Sequence, residues 1–173
     1  MNSNGRLLRL SSIGAAALLT LAAAGSTILS AQAPAAKPAE NPAAAAGART
    51  VEIVGTDDMK FNVATINAKP GEQLRIRLTA KGTMPKIAMS HNVVVLKKEA
   101  DPAAFATAAA SARATEFIPA ANKGDVIAHT ALAGNGETVE VTFKVPTVAG
   151  SYPYLCTFPG HFVVGMKGNL VVK

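Results

Sequence analysis

Cys156, His161 and Met166 place a thiol, an imidazole and a thioether on one short stretch, Cys156-Thr157-Phe158-Pro159-Gly160-His161 and onward to Met166. Four residues separate Cys156 from His161, and four more separate His161 from Met166. Cys156 is the only cysteine in the chain; the histidines number three and the methionines five. Thiolate, imidazole and thioether are the soft and borderline donors that select copper. A Pro-Gly turn between the first two lets them converge. The stretch lacks only a second imidazole.

His91, in Met89-Ser90-His91-Asn92-Val93, supplies that imidazole. It opens the apolar run Val93 to Leu96, while Cys156 closes the strand that starts at Tyr152. Residues distant in sequence meet when both lie at the same end of a β-sandwich. Two His, one Cys and a long, weak axial Met form the donor pattern of blue-copper electron-transfer sites. The expected metal set is therefore His91, Cys156, His161 and Met166, around one copper ion. A buried lone cysteine is ordinarily a small hydrophobe, and a lone methionine is ordinarily core. It is the joint spacing that argues for a site. A Cys156–His161 nucleophilic dyad explains neither Met166 nor His91, and no third orienting group accompanies it. Structural zinc prefers four strong Cys and His ligands. His129, in Val126-Ile127-Ala128-His129-Thr130, reads as a surface strand histidine.

Strands must position these donors. Val51 and Ile53 flank Glu52; Leu74, Ile76 and Leu78 alternate with Arg75 and Arg77. Val139, Val141, Phe143 and Val145 alternate with Glu140, Thr142 and Lys144, and Leu170 and Val172 flank Val171 near the end. Period two marks strands with one face toward a core. Lys69-Pro70-Gly71, Gly134-Asn135-Gly136 and Lys167-Gly168 are turn signals between them. The unbroken run Val93-Val94-Val95-Leu96 predicts a strand buried on both faces. Asp101 and Pro102 open a helix over the alanine-rich stretch to Ala112, with Phe105 as its large anchor. The expected fold is all-β: an antiparallel Greek-key sandwich or barrel of about seven or eight strands with a short helical insertion.

Residues 1–33 read as a secretory signal peptide. Arg6 and Arg9 give a positive start, Ile13 to Leu29 is apolar, and Ala31-Gln32-Ala33 is a small-x-small cleavage site. The alternative is an uncleaved N-terminal membrane anchor. Residues 34–50 are rich in Ala and Pro and read as a disordered linker; residues 51–173 form the copper-binding domain. The 173-residue chain is 49% hydrophobic, 16% charged and carries a net +6. Without Arg6 and Arg9, 15 of its 17 basic residues stand against all 11 acidic ones. No basic cluster suits nucleic acid, so the charge excludes that class and leaves a mild preference for acidic partners. One cysteine excludes an intrachain disulfide.

Cys-Thr-Phe-Pro-Gly-His followed by Met-Lys-Gly, with Met-x-His-Asn upstream, resembles the azurin branch of the cupredoxins. Asp57-Asp58-Met59-Lys60-Phe61-Asn62, Met84-Pro85-Lys86 and Val126-Ile127-Ala128-His129-Thr130 extend the resemblance over the region from about Val51 to Lys173. It implies a soluble, monomeric one-electron carrier, periplasmic or otherwise extracytoplasmic, serving redox protein donors and acceptors. It makes His91, Cys156 and His161 the equatorial copper ligands and Met166 the axial one. Ser90 stands where azurins have a glycine whose carbonyl approaches the copper weakly. Asn92 would tie the two ligand loops together, and Phe158 would pack beside the thiolate. The chain has no cysteines for the disulfide that azurins carry. Its four-residue gap to Met166 is one longer than in azurins and resembles auracyanin. Ala80 stands where some azurins place a titrating histidine.

Electron entry is expected at His161, within an apolar patch of Met59, Met84, Ala88, Met89, Phe158, Pro159, Val163 and Val164. Partners dock there through small, transient interfaces, with no stable membrane insertion of the mature domain. A second reading is an extracytoplasmic copper-delivery protein without an electron-transfer role, but such proteins offer exposed, exchangeable Met/His clusters. An enzyme reading fails on ligands, because oxidases and nitrite reductases built of fused cupredoxin domains need additional histidines.

Overall fold

The computed structural model describes residues 47–173. The expected signal peptide and residues 34–46 of the expected linker lie outside the described residues. Nine strands and one α-helix follow in order: β1 (Arg49–Thr56), β2 (Lys60–Phe61), β3 (Thr65–Ala68), β4 (Gln73–Lys81), β5 (Val94–Leu96), α1 (Pro102–Ala109), β6 (Val126–His129), β7 (Thr138–Lys144), β8 (Gly150–Leu155) and β9 (Lys167–Val172). Two short 3-10 turns, Arg113–Thr115 and Ala120–Asp125, lie between α1 and β6.

The strands form two sheets, ordered β2-β1-β4-β7 and β3-β9-β8-β5-β6. The two sheets share no ladder among the described residues, so the fold is a sandwich and not a closed barrel. The antiparallel expectation is corrected at two places: β1 pairs with β4 in parallel, and β3 with β9 in parallel. The chain leaves β1, crosses to the second sheet as β3, and returns as β4 beside β1. That route forces a parallel pair, because only a crossover connection can bring two strands together in the same direction. The count of nine exceeds the expected seven or eight because β2 and β3 are short, of 2 and 4 residues.

β4 shows why the alternating stretches fold as they do. Leu74, Ile76, Leu78 and Ala80 point inward and are buried, while Arg75, Arg77 and Thr79 point outward. Leu74, Ile76 and Leu78 lie opposite Phe143, Val141 and Val139 of β7. On the outer face Arg77 meets Glu140 at 3.1 Å, and the hydroxyls of Thr79 and Thr138 are 2.9 Å apart.

β5 is covered on both faces. Val93 and Val95 join the core between the sheets, whereas Val94 and Leu96 pack in a second cluster with Phe105, Ile118 and Leu155. The second cluster is the reason for the helix: Phe105 anchors α1 over the outer face of β5 and β8. Asp101 caps α1, its Oδ1 accepting the backbone N–H groups of Ala103 at 2.8 Å and Ala104 at 3.2 Å. The helix ends at Ala109, earlier than the alanine run alone predicts, where the chain turns into the first 3-10 segment.

Candidate metal centre

One end of the sandwich gathers the candidate donors from three strand ends. His91 precedes β5 and is fixed by an isolated bridge to Ala133, each backbone N–H donating to the other's carbonyl at 2.9 and 2.8 Å. Cys156 follows β8. Met166 precedes β9, and its carbonyl accepts the Cys156 N–H at 3.0 Å. Inside the intervening loop the Met166 N–H returns to the His161 carbonyl at 3.0 Å. Backbone bonds therefore set the spacing of Cys156, His161 and Met166.

The ligand atoms of His91, Cys156 and His161 lie within 4.8 Å of one another. Cys156 Sγ is 3.4 Å from His161 Nδ1. The two imidazole rings are 5.0 Å apart. Cys156 and Met166 are fully buried, and each histidine is 2% exposed. Nδ1 of His91 is buried with no hydrogen-bond partner. A buried polar nitrogen without a partner costs free energy, and here it belongs to the group that holds a thiol and a second imidazole. That donor set fits a metal ion bonded to all three.

Electrostatics keep the donors ready. Burial pulls the His161 pKa down to about 4, assisted by nearby His91, and burial also lowers that of His91 against an opposing pull from Asp57. Both rings are therefore neutral at pH 7, the form that binds metal. Burial pushes the Cys156 thiol up to about 12, outweighing the backbone N–H groups of Asn92 and Phe158 that favour the thiolate. Only a bound cation makes the thiolate at neutral pH.

Surrounding groups hold the loops. Asn92 accepts the Thr157 N–H at 2.8 Å on Oδ1 and donates Nδ2 to Thr157 Oγ1 at 2.8 Å. This ties the His91 segment to the Cys156 loop inside the core, as the resemblance implies. The Ser90 carbonyl is 4.0 Å from Cys156 Sγ. The Ser90 side chain turns away to donate to the Lys86 carbonyl, so a serine leaves the carbonyl facing the sulfur. Phe158 lies 4.9 Å from the His161 ring, ring centre to ring centre. His129 stands apart in β6, half-buried, its Nδ1 3.1 Å from the Thr130 carbonyl.

Two residues escaped the sequence reading. Gly55 of β1 passes so close that a Cβ there would stand 2.9 Å from His91 Cγ and 3.0 Å from Met166 Cε. An isolated glycine in a strand pattern is the only sequence signal for such an approach. The same contact places Met166 beside the His91 ring. Ile87 is 74% exposed near the ligand loops, more than Met84 at 43% or Val164 at 43% and less than Val163 at 84%.

The family model of copper binding proteins, plastocyanin/azurin family, matches residues 48–173. The chain belongs to the plastocyanin/azurin family. Azurin of Alcaligenes faecalis is 42% identical over 69% of this chain and 94% of its own length. Auracyanin-A of Chloroflexus aurantiacus is 37% identical over 73% of this chain and 76% of its own. Among solved structures, the blue copper protein auracyanin A from Chloroflexus aurantiacus superposes with a TM-score of 0.65 and 36% identity, covering 73% of this chain and all of that one. The azurin Az-iso2 of Methylomonas sp. strain J gives 0.63 and 32% identity over 72% of this chain and 97% of its own. Family and donor chemistry agree on copper as the metal, and the His91, Cys156 and His161 cluster fits a type 1 site of this family.

Proposed function

We propose that this chain carries single electrons between redox proteins outside the cytoplasm, on one type 1 copper held by His91, Cys156 and His161. Met166, beside the His91 ring, would offer a weak thioether donor to that copper, and the Ser90 carbonyl, 4.0 Å from the sulfur, would offer a further weak contact. The observation that carries the reading is the buried convergence of the three donors within 4.8 Å. Copper cycling between Cu(I) and Cu(II) supplies the electron.

The chain's own residues make that exchange easy. The donors sit at strand ends in a close-packed sandwich, so they move little when the metal changes charge. Asn92 and Thr157 lock the two loops to each other. Burial excludes water from the sulfur. A delivery protein needs exposed donors that exchange metal readily, and donors exposed by 2% or less favour the carrier.

His161 is the entry port. Its Nδ1 faces the sulfur, which leaves the opposite ring edge for a partner. Of the residues expected to surround it, Met84, Ala88, Pro159, Val163 and Val164 are exposed and Met59, Met89 and Phe158 are half-buried. Scattered apolar residues are ordinary, but a cluster of them marks an interaction surface. The working form is a monomer, exported through residues 1–33. Among the described residues no helix is long and apolar enough to cross a membrane.

Voltammetry of the copper-loaded protein tests the carrier reading. A reversible one-electron couple is expected. Copper that is lost on reduction, or a couple that fails to reverse, would point to delivery instead.

A further inference from the structure

The ligand loops border a cleft of about 440 Å³ that shares Ala88, Phe158 and Pro159 with the patch around His161 and extends beyond it to Ile87, Arg113 and Phe117. Ile87, Phe117, Phe158 and Pro159 line it, with Lys86 and Arg113 also in its wall. Three observations single it out. Phe117 is 7% exposed yet belongs to neither core cluster. Its ring instead meets Phe158 edge-on at 5.3 Å, and Phe158 meets His161 at 4.9 Å. The backbone is bent to put it there: Glu116 and Phe117 have φ of 52° and 62°. Left-handed backbone is an outlier for a bulky residue and persists where structure demands it, often at functional sites.

The charges at the cleft are cationic. Lys86 is shared with Glu137 at 2.6 Å. Arg113 is exposed, and no carboxylate forms an ion pair with it among the described residues. Glu116 is near in sequence but does not line the cleft. A hydrophobic floor with an unneutralised guanidinium at its wall complements an apolar side chain flanked by carboxylates.

We propose that this cleft is a docking site for an acidic redox protein, which inserts an apolar side chain beside Ile87 and Phe158 and sets a carboxylate against Arg113. The proposal rests on the carrier reading and names the kind of partner that reading requires. In each encounter one electron passes between the copper and a one-electron centre of the partner, one oxidised as the other is reduced. The ring contacts from Phe117 through Phe158 to His161 keep the docked surface in van der Waals continuity with a copper ligand.

Stopped-flow electron exchange between the copper-loaded protein and two c-type cytochromes, one acidic and one basic, tests it across a range of ionic strength. With the acidic probe the rate falls as salt rises. Arg113→Glu slows that reaction about tenfold and flattens the salt slope. Ile87→Ser slows it with the slope kept, since exposed Ile87 contributes contact and not charge. Lys144→Glu makes the same charge change at the opposite end of the β4–β7 pair and alters the rate little. Equal effects of Arg113→Glu and Lys144→Glu, or an unchanged rate for Ile87→Ser, overturn the proposal. Oxidation by ferricyanide and the visible copper band report on the carrier reading separately. If both persist while the cytochrome rates give either overturning result, the cleft is wrong and the carrier stands.

Discussion

His161 and His91 illustrate how burial tunes a residue for metal. An imidazole in water titrates near 6.5, whereas His161 is held at about 4 and His91 is also lowered. Between those values an unfolded metal-free chain takes up protons that the folded chain refuses, so acid favours unfolding. Metal-free protein should lose stability as pH falls from about 6.5 toward 4. The carboxylates with lowered pKa, Glu72 and Glu137, act in a lower window, below their ordinary value of 4.5. Cys156 has the opposite sense. Its folded value of about 12 exceeds the ordinary 9.0, so its contribution is complete below pH 9 and lost as pH rises toward 12. Urea midpoints of the metal-free protein measured from pH 4 to 11 check both limbs. A flat profile from pH 7 to 4.5 would contradict the buried-imidazole account. At the same scale, Gly55→Ala forces a methyl against His91 and Met166. It should cost about 1–3 kcal/mol, as overpacking does, and shift the copper absorption. An unaltered spectrum would show that the strand has room to spare. An isolated glycine in a strand hints at a close approach but does not say to what, so the part Gly55 plays beside His91 and Met166 became visible only in the fold.

At the level of elements, ligand placement depends on the junction between the start of β5 and the end of β8. Asn92 and Thr157 are buried there and joined by side-chain and backbone hydrogen bonds. Asn92→Ala strips these and leaves the Thr157 N–H without its acceptor. A loss of about 2–3 kcal/mol is expected from an unsatisfied buried donor, together with faster copper release to a chelator. Thermal unfolding and chelator kinetics check both, and a change within about 0.5 kcal/mol would place the junction among ordinary surface contacts. The long strands around this junction were legible. β4 and β7 alternate cleanly over a two-faced environment, and the Val93–Leu96 run signalled its double burial. β2 and β3 were not, because 2 and 4 residues carry too little periodicity. Nor were the parallel pairings, since alternation reports which face is buried and is silent on the direction of the neighbour.

Across the whole molecule, the site exists because a sandwich brings distant strand ends together. His91 and Cys156 are 65 positions apart yet share one cluster. Residue chemistry made the donor set readable, since the only cysteine, a Pro-Gly-His turn and a methionine at short spacing define most of a copper site. The proposed docking surfaces were less readable. Exposure of Ile87 at 74% and the turn that presents Phe117 depend on loops whose path no periodic pattern records. The same sandwich predicts rigidity at the metal, with fully buried Cys156 as the donor on which the reading depends. The most direct measurement is visible absorption during titration of the metal-free protein with Cu(II). One equivalent should raise an intense thiolate-to-copper charge-transfer band, and Cys156→Ala should abolish it. A colourless copper complex, or a band that survives Cys156→Ala, would contradict the assignment.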